Sequence, residues 1–213
     1  MRSPPGRLDV VPAADPEALR RWGVADCGRI DHRALTRSLG RLQGAETGTF
    51  TDATRVVRHI RLRYHGTLVG WIEDAVALSI ACESAHGASD RWPHGLSDRL
   101  FDILEALEHH QHREDAVVFP RLLARPPVGV EPVVALMEAE HAAIRDRLDR
   151  LLAITRDLAL PEGACAKWRV LYVLCRQVDS DARALMALEE HDLFPQALRD
   201  RTEAGVCAVA TSL

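Results

Sequence analysis

At 213 residues, with 47% apolar side chains, the chain can fill a core of its own and lacks the composition of a disordered polymer. A net charge of −4 with no run of like charges gives no electrostatic reason to expect nucleic acid or an anionic membrane as partner. No apolar stretch approaches the ~20 residues that span a bilayer, and the opening Met1-Arg2-Ser3-Pro4-Pro5 has no apolar signal core, so a cytoplasmic, non-membrane protein is expected.

Apolar residues recur at helical spacing in five segments, punctuated by Gly, Pro and Ser clusters. Residues 1–45 form the expected N-terminal module, with two small helices across about 15 to 42 broken between Gly23 and Gly28. A Gly- and Thr-rich linker, Gly44 to Thr51, follows. Residues 52–200 then hold four longer helical patterns whose short connections suit an antiparallel bundle, giving an all-α fold class. The first runs from about Asp52 to Ser84. The second starts near the cap candidate Ser97 and reaches towards Leu123, with Pro120 bending its last turns. The third carries Pro132 in its first turn and extends to about Leu158. Pro161 and Gly163 separate it from the fourth, which extends to about Asp200, and residues 201–213 form a tail.

An internal repeat organises the bundle. The string His110-Gln111-His112-Arg113-Glu114-Asp115 through Phe119-Pro120 aligns on Leu185-Met186-Ala187-Leu188-Glu189-Glu190 through Phe194-Pro195, 75 positions later, while His65 and His141 lie 76 positions apart. Two copies of a helical hairpin, related by a pseudo-two-fold axis, are expected to face one another around one centre. Residues four apart share a helix face, so His110 and Glu114 form a chelating pair. Glu189 repeats the carboxylate, and His65 and His141 each add an imidazole. Three imidazoles with two carboxylates suit iron, zinc or manganese, and carboxylates from facing helices can bridge two metal ions. His86 is expected at a helix end, and His109, His112 and His191 point away from the ligand face. The five cysteines are scattered, with no CxxC pair, which argues against a thiolate zinc site and a disulfide framework.

The pattern Tyr64-His65, His110-x3-Glu114-Asp115, Phe119-Pro120, Glu140-His141, Glu189-Glu190 and Phe194-Pro195 resembles the hemerythrin-like di-iron proteins of the iron-sulfur cluster repair and nitric oxide stress family. The resemblance implies two non-haem irons held by four histidines and two bridging glutamates. His65, His110, His141, Glu114 and Glu189 match five of those six places, and Leu185 stands where the sixth, a histidine, belongs. One iron would then keep two histidines and the other only one, so the second is expected to be weakly held. The segment Gly23-Val24-Ala25-Asp26-Cys27-Gly28 resembles a reduced form of the leading cysteine signature of such proteins, which makes Cys27 the candidate redox thiol. The implied function is repair of damaged iron-sulfur proteins, or binding of nitric oxide or dioxygen, rather than conventional enzyme catalysis. The competing expectation is a bundle that has lost stable iron and serves as an interaction or sensory module.

Overall fold

The computed structural model describes residues 16–22, 52–124, 127 and 129–200. Every regular element among them is helical. The helices are α1 (Pro16–Arg21), α2 (Ala53–Ile60), α3 (Gly66–His86), α4 (Leu96–Arg113), α5 (Phe119–Leu122), α6 (Val130–Thr155), α7 (Ala166–Leu188) and α8 (194–200). Three of the junctions are not loops. Single π-helical turns at Arg61–His65, Glu114–Val118 and Glu189–Leu193 join α2 to α3, α4 to α5 and α7 to α8, so the chain makes four long rods.

The rods pack as a bundle in which α3 lies against both α4 and α7, and α4 against α6. Its core is continuous, with Leu68, Ile72, Leu78, Leu100, Ile103, Leu148, Leu171 and Val178 among its buried side chains. The helix α3 is apolar nearly all round, burying Trp71, Ile72, Ala75, Val76, Ala77 and Leu78 in sequence. Such a helix needs cover on several faces. It gets that cover from α4, from α7 and from α1, which contacts it as well. The indole of Trp22, just past α1, donates to the buried carboxylate of Asp74 on α3 at 2.7 Å, and Arg21 reaches the same oxygen at 3.2 Å. No helix among the described residues is long and apolar enough to cross a membrane.

Two helix ends differ from the sequence expectation. The cap of α4 is Gly95, in the left-handed region at φ 79°, a conformation that glycine adopts without steric cost. Ser97 sits inside the first turn instead, and its hydroxyl donates to Glu83 at 2.9 Å. The helix α6 stops at Thr155 rather than Leu158, because Arg156, Asp157 and Leu158 all turn left-handed, with φ of 53°, 56° and 59°. The Thr155 hydroxyl secures that stop by donating to the Leu151 carbonyl at 2.8 Å and accepting the Leu158 N–H at 3.3 Å. Most of the N-terminal module, Cys27 included, and the tail at 201–213 lie outside the described residues. Of the other thiols, Cys82 and Cys175 are buried and Cys165 is half-buried; burial pushes the Cys175 thiol up to about 12.

Candidate metal centre

The three π-turns mark the centre. In an α-helix, residues five apart point about 140° away from each other, but a turn closed by an i to i+5 hydrogen bond brings them almost into line. The Phe119 N–H bonds to the Glu114 carbonyl, and the Phe194 N–H to the Glu189 carbonyl. Each turn therefore aims a carboxylate and an aromatic ring at the same part of the bundle. Both meet a histidine from another rod. Glu114 lies 3.0 Å from His65 Nε2 while the Phe119 ring stacks on the His65 ring at 5.8 Å. Glu189 lies 2.9 Å from His141 Nε2 while Phe194 stacks on His141 at 5.9 Å. The two halves repeat one geometry, as a pseudo-two-fold axis requires.

Between these pairs stands His110, at the end of α4. Its Nε2 is 3.8 Å from Glu114 Oε1 and 3.9 Å from Glu189 Oε2, and its ring centre is 4.9 Å from that of His141. The donor atoms of His110, His141 and Glu189 all lie within 4.8 Å of one another. All are buried, and His110 Nε2, His141 Nε2, Glu114 Oε1 and both Glu189 oxygens have no hydrogen-bond partner. His141 Nε2 and Glu189 Oε2 approach to 2.9 Å without hydrogen-bonding alignment. Burying that many partnerless polar atoms costs several kcal/mol, on the order of 2 kcal/mol each. Imidazole nitrogens and carboxylate oxygens converging on one space, unpaired with each other, fit a bound cation, which would supply the missing partner for all of them.

The other ring nitrogens face outwards, each to an acid. His65 Nδ1 is 3.3 Å from Asp115, His110 Nδ1 is 3.1 Å from Glu140, and His141 Nδ1 is 2.8 Å from Glu190. An arginine holds each of those acids in turn: Arg61 on Asp115 at 2.7 Å, Arg113 on Glu140, and Arg145 on Glu190 at 2.5 Å. An acceptor at Nδ1 keeps the proton there and leaves the Nε2 lone pair directed inwards, the tautomer a metal ligand needs.

Burial, and then the neighbouring Glu189, push the Glu114 carboxyl up to about 8, so without a cation it is mostly neutral at pH 7. Burial and the adjacent His110 push His141 down to about 4. For His110 burial acts in the same direction, but the Glu189 and Glu114 carboxylates outweigh it and the net shift is upward. Glu190 shifts downward, because Arg145 and His141 outweigh the effect of its burial.

The structure thus gathers the five residues His65, His110, Glu114, His141 and Glu189 around one internal space. His109, His112 and His191 are exposed, and His86 ends α3 against Trp168, 5.3 Å between ring centres. Leu185 is buried in the apolar core one turn before Glu189, so the place that the repeat pairs with His110 carries hydrocarbon instead of an imidazole. Asp181, a further turn back, is occupied by Arg63 at 3.2 and 3.3 Å. Sequence reasoning did not assign Asp115, Glu140 and Glu190, their arginines, or the stacking of Phe119 and Phe194. The signal was present, since each of these acids stands next to an expected ligand in the chain.

Comparison with known proteins agrees with this geometry. Residues 63–197 match the hemerythrin HHE cation binding domain. The chain is 32% identical over 174 residues to the iron-sulfur cluster repair protein YtfE of Yersinia pestis (strain Pestoides F), covering 80% of this chain and 79% of that protein. The YtfE protein of Yersinia pseudotuberculosis serotype O:1b (strain IP 31758) gives the same identity and coverage. With its HHE match spanning the whole buried centre, the chain belongs to the hemerythrin HHE cation-binding family.

Proposed function

We propose that the chain is a di-iron protein of iron-sulfur cluster repair, with Glu114 and Glu189 bridging two unlike metal positions. His110 and His141 would serve the position at the α4/α6 corner, and His65 alone the position at the α3/α7 corner. The observation that carries this reading is the set of buried, partnerless nitrogen and oxygen atoms contributed by His110, His141, Glu114 and Glu189. Ferrous iron there would supply open coordination places for a diatomic gas and a store of exchangeable metal.

The protein's own contribution differs between the corners. His141 is fully enclosed, and the side chains of Glu190 and Arg145, which hold it, are 23% and 34% exposed. His65 is held by Asp115 and Arg61, whose side chains are 46% and 47% exposed, and its corner has Leu185 in place of a ligand. One corner therefore grips and the other yields. A yielding position suits delivery of iron to a damaged iron-sulfur protein, or nitric oxide or dioxygen as ligand, in a cytoplasmic stress response. An interaction module that had lost its metal would have no use for three intact arginine–acid–histidine arms.

The test is iron per chain after anaerobic purification, followed by recovery of a damaged iron-sulfur enzyme mixed with the loaded protein. About two irons, one of them quickly lost to a chelator, with the enzyme restored, is the expected result. A folded protein that takes up no iron would end this reading; tight iron without restoration would leave gas binding alone.

A further inference from the structure

We infer that the exposed face of α2, carrying Arg55 and Arg58 and continued by Leu62, is the docking surface for an acidic patch on the iron-sulfur protein under repair. This rests on the cluster-repair reading above and adds to it the place where the recipient lands.

From Ala53 to Ile72 the chain holds Arg55, Arg58, Arg61 and Arg63 and not one acid, although the whole protein has a net charge of −4. Asp181 takes up Arg63 at 3.2 Å, and Asp115 takes up Arg61 at 2.7 Å. Arg55 and Arg58 are exposed, and among the described residues no carboxylate pairs with either. Val56, Val57 and Ile60 turn the other side of α2 into the core, which fixes the arginine side outwards. Arg55, Arg58 and Leu62 follow one another at steps of three and four, so they line up along that outer side. Leu62 is 72% exposed, and Val117, two residues past Asp115, is 39% exposed. Apolar side chains framed by arginines have the make-up of a protein interface. Two free guanidiniums are too few to hold a phosphate backbone against salt, which makes nucleic acid the poorer occupant.

Placement ties this face to the metal centre. Arg61 holds Asp115, and Asp115 lies 3.3 Å from His65 Nδ1, so the arginine row leads to the supporting arm of the more loosely held ligand. A recipient seated on Arg55, Arg58 and Leu62 is therefore brought against the corner proposed to yield its ion. Complementary charge draws an acidic recipient to that corner and repels a basic one.

The experiment titrates the full metal-free chain with the damaged iron-sulfur enzyme that the loaded chain restores, and reads the dissociation constant at low and high salt. Arg55→Glu/Arg58→Glu, checked for folding by circular dichroism, should bind about tenfold more weakly at low salt, with the difference erased at high salt. Leu62→Ser should bind more weakly at both. Iron per chain and its loss to a small chelator should match the natural protein in these variants, because none of the three side chains belongs to the centre. Arg99→Glu/Arg150→Glu changes the net charge equally at the other end of the bundle and should lose far less. Natural affinity in Arg55→Glu/Arg58→Glu, or an equal loss in Arg99→Glu/Arg150→Glu, would overturn the docking face while leaving the repair reading intact. Binding of duplex DNA or phosphatidylserine vesicles through the same arginines, in place of the enzyme, would overturn it in favour of a phosphate partner. A loaded chain that restores no enzyme overturns the repair reading and this face with it.

Discussion

His141 and Glu189 face each other at 2.9 Å in the interior, both fully buried, and form no hydrogen bond. Two polar groups held that close without bonding are positioned for a third partner. If the two carboxylates bridge a metal pair as proposed, replacing Glu189 or Glu114 by Ala should abolish metal binding altogether. Glu108→Ala and Glu138→Ala, at exposed positions, should leave metal content unchanged. Elemental analysis of the four variants decides the matter, and equal retention in all of them would refute the bridge.

The outer acids give a graded expectation. Glu190→Gln removes the charge that fixes His141, and losses of this kind typically weaken metal binding by about 10- to 100-fold. Asp115→Asn should cost less, because the Asp115 side chain is 46% exposed and solvent can replace part of its contact with His65. Competition against a chelator of known affinity ranks the two. The reverse order would mean that the α3/α7 corner, not the α4/α6 corner, grips its ion.

Proton release follows from the carboxyl of Glu114. With its value near 8 in the metal-free protein, metal binding at pH 7 must expel a proton that it need not expel at pH 9. Apparent affinity should rise between those values, and weakly buffered solutions should acidify more on metal addition at pH 7 than at pH 9. Glu114 shifts up from 4.5, so its protonated form is favoured by folding, and the metal-free fold loses stability as pH rises from about 4.5 to about 8. His141 shifts down from 6.5 to about 4, so stability is also lost as pH falls through that interval. Urea unfolding of Glu114→Gln should show the loss with rising pH reduced and the acid loss kept.

Leu185→His should raise bound iron per chain and slow its loss to a chelator. The packing cost is modest, since the two side chains are of similar bulk, and the buried ring gains a metal as its partner. Leu188→His, three residues on and half-buried, should bring no such gain. By the repeat, the new ring would look for its outer acid at Tyr64, the counterpart of Glu140. The gain should accordingly fall short of a complete fourth arm. Unchanged iron in a folded Leu185→His variant would place the missing ligand elsewhere.

Much of this was legible in the chain because the repeat reports spatial equivalence directly: Glu114 and Glu189 and the exception at Leu185 follow from an offset of 75, and His65 and His141 from one of 76. The supporting acids were harder to see for a geometric reason. Asp115 and Glu190 immediately follow a ligand, so on a helical wheel they fall about 100° off its face, and they serve histidines of other rods. The π-turns left no trace in a periodicity of 3.6, which assumes that every turn closes at the fourth residue. Gly95 displaced Ser97 as the cap of α4 because a left-handed entry suits a residue without a side chain better than it suits a hydroxyl donor.

Those π-turns make the rods unusual with respect to chain length. A single residue deleted from an ordinary helix spoils the register of everything beyond it. Deleted from 115–118, it would let the backbone relax into an uninterrupted α-helix, a locally more favourable conformation. Phe119 would swing away from His65 and the carboxylate would lose its aim. The extra residue is thus a spacer kept against the helix's own preference, and a shortened chain should fold while losing its cation.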